Sequence, residues 1–393
     1  MLIGLVGKPS SGKSTFFKAA TLADVLIAAY PFATIKPNTG VGYVKIDCID
    51  KEFDVQCNPS KGYCVDGQRF VPIELMDVAG LVEGASEGKG LGNQFLDNLT
   101  SADALIHIID ISGETDSEGK EVKGHNPLED VEMLEKELDL WYLGILKKVW
   151  KVFARTMQNT KADFAKSVAK QFSGLKVSGE DIKDVVRKGD YDVEKPAGWD
   201  DDLLFKFAHD LRHLTKPMVL VANKCDKDSS KDNLEKLKGA YPDLMIIPCS
   251  SDSELALREA SKAGLIEYVP GSKDFEVKGE LNEKQSEALE KIRRGVLEIY
   301  GSTGVQEVLN KVVFDLLKYI AIFPAGSKLA DSKGNVLPDC FLLPGGSTAL
   351  DFAYYLHSDF GDNFIKAIDV RTKQAVGKDY KLKHRDGLEI LTR

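Results

Sequence analysis

The sequence predicts an α/β protein: a doubly wound domain interrupted by a helical insertion and followed by a C-terminal β-grasp module. Three observations predict this. Buried-strand runs such as Met1 to Val6, Ala104 to Ile109 and Pro217 to Ala222 alternate with loops and helical patterns, the arrangement expected of a parallel sheet covered by helices. From Asn126 the chain turns helical, with no strand signal until about Pro217. From about residue 320 the pattern becomes short apolar runs and turn signals around one helix, Thr348 to His357. The boundaries expected are 1–125 and 216–317 for the doubly wound domain, 126–215 for the insertion and 318–393 for the β-grasp module.

A chain of 393 residues, 43% hydrophobic, suits two or three globular domains. No apolar run reaches the length of a membrane span, and a strand at residue 2 leaves no room for a leader peptide. The net charge of −9 confines any nucleic-acid contact to local patches. The six cysteines include no C-x-x-C pair. Cys57 and Cys64 are near in sequence but lack companion ligands, so reduced thiols in a cytoplasmic protein are expected rather than zinc or disulfides.

The first strand runs into Gly7-Lys8-Pro9-Ser10-Ser11-Gly12-Lys13-Ser14, and a helical pattern begins at Thr15. This strand, glycine-rich turn and helix start is the setting in which G-x-x-x-x-G-K-[ST] binds phosphates. Gly7 and Gly12 let backbone N–H groups converge, and the helix dipole adds positive charge there. Lys13 is expected on the β- and γ-phosphates, with the Ser14 hydroxyl on Mg²⁺.

Two prolines exclude a regular helix across Tyr30-Pro31-Phe32-Ala33-Thr34-Ile35-Lys36-Pro37-Asn38-Thr39-Gly40. A loop threonine there would meet Mg²⁺ only with the γ-phosphate present; Thr34 is the candidate and Thr39 the alternative. Val41 to Ile46 and Phe70 to Met76 read as strands around a hairpin excursion, Asp47 to Arg69. The second ends in Asp77-Val78-Ala79-Gly80. Asp77 suits the Mg²⁺ shell, and Gly80 lets a backbone N–H approach the γ-phosphate. Leu81 follows, where Ras-type enzymes carry a water-orienting glutamine, so slow intrinsic hydrolysis is expected. The glycine-rich stretch Glu83 to Asn93 reads as a switch that orders and disorders.

Asn126-Pro127-Leu128-Glu129 opens the insertion with a cap, a helix-starting proline and a third-position glutamate. Further on, Lys147, Lys148, Lys151, Arg155, Lys161, Lys166, Lys170 and Lys176 meet only Asp163 as an acid, interleaved with Trp150, Phe153, Phe164 and Phe172. Two readings stand: a helical hairpin with inward aromatics and a solvated lysine face, or a surface for RNA phosphates.

The strand at Pro217 runs into Asn223-Lys224-Cys225-Asp226. The aspartate accepts from guanine N1–H and the exocyclic amine, an edge adenine lacks. The lysine stem lies against the base and the asparagine braces the phosphate loop. A later strand, Leu244 to Ile247, ends in Pro248-Cys249-Ser250-Ser251, where the Ser251 N–H is placed for guanine O6.

These motifs, in this order, resemble those of translation-factor-related GTPases. Tyr30 to Gly40 and Asp77-Val78-Ala79-Gly80-Leu81-Val82-Glu83-Gly84-Ala85 look like the Obg-related proteins, and the insertion opening at Asn126 resembles their YchF-like branch. Leu343-Pro344-Gly345-Gly346-Ser347-Thr348 and the residues through His357 resemble the TGS module of threonyl-tRNA synthetases, GTPases and stringent-response enzymes. Typical YchF proteins carry a glutamate-ending base motif and prefer ATP; Asp226 restores the guanine pattern. Many relatives carry asparagine at the Ser10 position, where it helps bind a catalytic potassium ion, and Ser10 departs from that.

The resemblance implies a Mg²⁺-dependent GTPase that converts GTP to GDP and works as a switch. Its cofactors are GTP/GDP and Mg²⁺, and its expected partner is the ribosome or structured RNA, with no membrane and no DNA. The nucleotide is expected on Gly7, Lys8, Pro9, Ser10, Ser11, Gly12, Lys13, Ser14, Thr15, Asn223, Lys224, Asp226, Ser250 and Ser251. Mg²⁺ is expected on Ser14, Thr34 and Asp77, with Lys13, Thr34 and Gly80 at the reacting phosphate. The competing readings are an ATPase of the YchF type and an RNA-binding scaffold with little turnover. His357 is expected to be structural.

Overall fold

The protein is described from a computed structural model covering residues 1–21, 39–78, 80, 84, 99–160, 162–326, 328–331 and 333–393. In chain order its strands are β1 Leu2–Val6, β2 Thr39–Asp47, β3 Tyr63–Val65, β4 Gln68–Asp77, β5 Ala104–Asp110, β6 Met218–Asn223, β7 Ile246–Cys249, β8 Ile266–Glu267, β9 Glu276–Val277, β10 Tyr319–Pro324, β11 Phe341–Pro344, β12 Phe364–Asp369, β13 Ala375–Val376 and β14 Asp386–Thr392. The described residues fall into two compact units. One comprises 1–19, 74–256 and 281–304; the other comprises 20–73, 257–280 and 305–393.

In the first unit the end of β4 is followed across a parallel sheet by β1, β5, β6 and β7. Every residue of β5 and of β6 is buried, as expected for strands covered on both faces. The register brings Leu5 beside Asp77 and Ile106, Asp110 beside Asn223, and Asn223 beside Cys249. The chain leaves β1 toward β4 and returns to β5 on the other side of β1. A crevice at the carboxyl ends of the strands is the ligand position such a switch point creates.

The helix Pro127–Thr160 has 34 residues and is about 50 Å long. The Asn126 side chain accepts from Leu128 N at 3.3 Å, and Pro127 opens the first turn. Its first turns send Val131, Leu134 and Leu138 onto the sheet with Ile109, Leu220 and Leu237. Its later turns build a separate core, in which Tyr142, Leu146, Trp150, Phe164, Phe172 and Phe207 are buried. The described lysines of this region stay at the surface, with Lys147 on Asp201 and Lys176 on Asp103. Packing thus agrees with the helical hairpin of inward aromatics.

Within the second unit β3 and β4 form an antiparallel ladder with Cys64 opposite Arg69. Asp66 (φ 50°) and Gly67 (φ 78°) make the turn between them, the Asp-Gly pair that a two-residue hairpin favours. The C-terminal sheet has the order β11-β10-β14-β12-β13, with β10 and β14 parallel. The helix Ala349–Leu356 begins with a reciprocal Thr348–Asp351 capping box and buries Phe352 among Ile322, Leu343 and Leu388. His357 caps the following turn by accepting from Asp359 N at 3.1 Å, a structural role. Among the described residues no helix is long and apolar enough to cross a membrane.

Some expected bounds differ. Ile246–Cys249 replaces Leu244 to Ile247. Short edge strands are set by their ladder partners more than by local apolarity.

One buried ion-pair cluster pins the insertion. Arg212 is 1% exposed and donates from Nε to Asp139 Oδ1 at 2.8 Å, with Glu135 Oε2 at 3.3 Å from Nη2. Burial acts to raise the Glu135 carboxyl, but His213 and Arg212 outweigh it and bring it down to about 2. Asp139 is lowered too, burial being outweighed by His209 and Arg212. Removing one member of such a buried cluster leaves the others unpaired, so Arg212→Ala is expected to destabilise the protein by about 3–5 kcal/mol in chemical denaturation. Because both folded-state values lie below the unfolded ones, this stabilisation is full above pH 4.5, the ordinary Glu135 value, and is lost as the pH falls toward 2. The variant should show a flatter acid-denaturation profile over that window.

Candidate nucleotide-binding site

The loop after β1 has the backbone its glycines predict. Gly7 has φ 146°, and a Cβ there would lie 2.4 Å from the Ile108 carbonyl oxygen. Gly12 has φ 95°, and a Cβ there would lie 2.2 Å from Asn223 Nδ2. Neither position admits another residue without displacement. Ser10 is also left-handed, with φ 61°. Ser10 and Ser14 are exposed, Pro9 and Thr15 are half-buried, and Lys8 and Ser11 are buried. The Ser11 hydroxyl has no hydrogen-bond partner.

Lys13 folds back on the loop, its Nζ donating to the Lys8 carbonyl at 2.7 Å. Burial brings the ammonium down to about 8, with the Asp77 carboxylate opposing the shift. Ser14 Oγ donates to Asp77 Oδ2 at 2.9 Å, although the two residues are 63 positions apart. Two of the three side chains expected to serve Mg²⁺, Ser14 and Asp77, are thus brought together, and hard oxygen donors of this kind suit that ion. Gly80 is exposed beside the loop, and a Cβ on it would lie 3.0 Å from Pro9 N. Thr34, Leu81 and all of Glu83 to Asn93 except Gly84 lie outside the described residues; the Gly84 N–H donates to Glu137 Oε1 at 2.7 Å.

The far end of the crevice is organised by Asn223. Its Nδ2 donates to the Ser11 carbonyl at 2.9 Å, while its Oδ1 accepts from Ser251 N at 3.1 Å and Ser251 Oγ at 2.8 Å. The Ser251 N–H, expected for guanine O6, is therefore engaged by Asn223 instead. Asp226 Oδ1 accepts from Ser250 Oγ at 2.7 Å, and Ser250 N donates to the Thr303 carbonyl at 2.9 Å. Lys224, with φ 62°, pairs its Nζ with Asp110 Oδ2 at 2.8 Å.

Two buried acids, Asp110 and Asp130, escaped the motif reading. Asp110 is fully buried at the end of β5 and also accepts from Ser112 and Thr115 hydroxyls at 2.5 and 2.6 Å. Its signal in sequence was an aspartate closing a strand that is apolar apart from His107. Lys8, a free position in the motif, is buried with Nζ 2.9 Å from Asp130 Oδ2 and donates to the Thr115 carbonyl at 2.6 Å. His125 Nε2 lies 2.8 Å from Asp130 Oδ1.

Three family profiles match the chain in register with these features. They are "50S ribosome-binding GTPase" over 2–139, "Obg-like GTPase YGR210-like, G4 motif-containing domain" over 221–326, and "TGS domain" over 321–392. A GTP-binding protein of Methanocaldococcus jannaschii is 45% identical over 100% of this chain and 99% of its own. The chain belongs to the Obg-like, YchF-type GTPases. The Bacillus subtilis member named ribosome-binding ATPase YchF is 30% identical over 93% of this chain and 87% of its own. The crystal structure of a GTP-binding protein from Pyrococcus horikoshii superposes with a TM-score of 0.81 at 39% identity, covering 100% of both chains. This Obg-like GTPase is a nucleoside-triphosphate hydrolase with a P-loop domain, a helical region and a C-terminal TGS domain.

Asn223→Ala would orphan the Ser11 carbonyl and the Ser251 N–H together. Two buried groups left unsatisfied cost about 2–6 kcal/mol in all, so nucleotide-free protein carrying this change should melt several degrees lower in thermal unfolding.

Proposed function

We propose that this GTPase is a Mg²⁺-dependent switch that selects GTP through Asp226, hydrolyses it to GDP and reports its state to the ribosome or to structured RNA. The observation that carries the base assignment is Asp226 at the crevice end, oriented by Ser250 Oγ at 2.7 Å. From there its carboxylate accepts from the N1–H and amino edge of guanine, which adenine does not offer. Lys13, the loop amides of Gly7 through Ser14 and Thr15 hold the phosphates. Ser14 and Asp77 would hold Mg²⁺, joined by Thr34 in the triphosphate state, and an ion held there would supply neutralisation of the charge on the phosphate oxygens. Gly80 offers its N–H to the γ-phosphate. Among the described residues none is named as a catalytic base, and Leu81 cannot orient water, so turnover speeds up when a partner orders the Gly84–Gly92 stretch or supplies a group in trans.

Domain roles follow: 1–125 and 216–317 carry the nucleotide, and 126–215 and 318–393 face the partner. The names ribosome-binding ATPase and 50S ribosome-binding GTPase, borne by a relative and by a matching profile, support the ribosome as that partner. We assign the protein to the cytoplasm, acting on neither membrane nor DNA. The ATPase name of that relative is the second reading, and Asp226 argues against it.

Competition binding tests the choice: GTP should displace a labelled nucleotide well before ATP. Asp226→Asn should weaken GTP binding by about 10- to 100-fold, the loss of charge-assisted hydrogen bonds, with ATP binding little changed. Equal displacement by GTP and ATP in the unaltered protein would favour the ATPase reading. Ribosome co-sedimentation should be stronger with a non-hydrolysable GTP analogue than with GDP.

Lys13 gives a further test. With its ammonium near 8 before binding, contact with phosphates favours the protonated form and draws a proton from solvent. Calorimetry in buffers of different ionisation heat should show proton uptake on GTP binding that grows between about pH 7 and 9. Lys13→Arg, which stays charged throughout, should lose that growth.

A further inference from the structure

The excursion between β2 and β4 has almost no apolar core of its own. It contains a single-turn 3-10 helix, Ile49–Phe53, and the three-residue strand β3. Its buried centre is made of Cys48, Asp50 and Cys57, with Cys64 beside them. One ligand atom from each of these four lies within 4.8 Å of all the others. The cysteines are separated by nine and seven positions, so no sequence motif announces them. The fold gathers them by backbone means: Cys48 N donates to the Gly67 carbonyl at 2.7 Å, Cys57 N donates to Asp50 Oδ2 at 3.3 Å, and the hairpin ladder sets Cys64 opposite Arg69.

The charges in this centre are out of balance. Asp50 is 0% exposed, and among the described residues its carboxylate receives the Lys51 and Cys57 N–H groups and the Cys64 thiol. No Lys or Arg is ion-paired with it among the described residues. Burying a carboxylate without a cation is expensive. The spacing also suits a cation. Two thiolates each about 2.3 Å from one tetrahedral ion are about 3.8 Å apart; Cys48 Sγ and Cys57 Sγ are 3.7 Å apart, and Cys64 Sγ lies 3.8 Å from Asp50 Oδ2. Arg69 is fully buried next to the cluster with Nε unpartnered, its Nη atoms engaged by the Leu337 and Pro338 carbonyls.

We propose that Cys48, Asp50, Cys57 and Cys64 form a closed, structural zinc site that staples the 48–67 excursion. Thiolates with one carboxylate in a tetrahedron select zinc over hard cations, and four protein ligands leave no open position for catalysis. Binding replaces up to three thiol protons with one Zn²⁺, and those protons go to solvent. The site uses neither nucleotide nor ribosome, so it stands or falls apart from the proposed function.

The test is elemental analysis of full-length protein, purified without chelators and after addition of ZnCl₂ followed by desalting. About one zinc per chain is expected. Cys57→Ser and Cys64→Ser should each lower it at least about fivefold, whereas Cys225→Ser, remote from the cluster in sequence, should keep it. If the variants do not fold, zinc-edge X-ray absorption on the unaltered protein decides: three sulfur neighbours at about 2.3 Å and one oxygen at about 2.0 Å are expected. Zinc absent after addition, zinc with only nitrogen and oxygen neighbours, or a Cys48–Cys57 disulfide in its place would overturn the assignment.

Discussion

One amide side chain ties the nucleotide site together. Asn223, at the end of β6, reaches over β5 to the phosphate loop after β1 and at the same time holds the first turn after β7. This is possible because Gly12 offers no Cβ to obstruct Nδ2 and Gly7 lies directly against the Ile108 carbonyl. The loops that must surround one ligand therefore share one hydrogen-bond hub. A hub of this kind fixes geometry before the ligand arrives, which lowers the ordering cost of binding.

The charged groups around that hub divide into fixed and releasable ones. Lys8 is enclosed by Asp130 and the Thr115 carbonyl, and Lys224 is held by the buried Asp110. Among the described residues Lys13 donates to a neutral carbonyl, and its burial disfavours the charge. A phosphate offers it more than the loop does, so it is suited to exchange partners. The others act as a scaffold that shapes the crevice.

The insertion helix is part of this scaffold rather than an appendage. Its first turns supply Asp130 to Lys8 and Glu137 to the Gly84 N–H. The phosphate loop and Gly84 thereby rest on one helix, held by Arg212 at Glu135 and Asp139 and by an aromatic core along its later turns. A rigid element that touches both is a physical route by which nucleotide state can reach the insertion. Basic side chains at its far surface are presented by packing that directs the aromatics inward.

What the sequence determined by itself was whatever depends on contiguous residues. The phosphate loop needs glycines at fixed offsets between a strand and a helix; the helix starts at Pro127 and Ala349 need caps; the Asp66-Gly67 turn needs positive φ. The order of Asp77, Gly80, Asn223 and Asp226 along the chain was enough to indicate a guanine-nucleotide crevice. The tertiary structure alone decided the pairings between distant positions: Lys224 with Asp110, Lys8 with Asp130, Arg212 with Asp139, and Asp50 with its three cysteines. It also committed the Ser251 N–H to Asn223. The physical reason is range. Backbone geometry and capping act over a few residues and leave a local pattern, whereas a buried charge is paired by whichever group the packed elements bring to it, and no spacing along the chain records that choice.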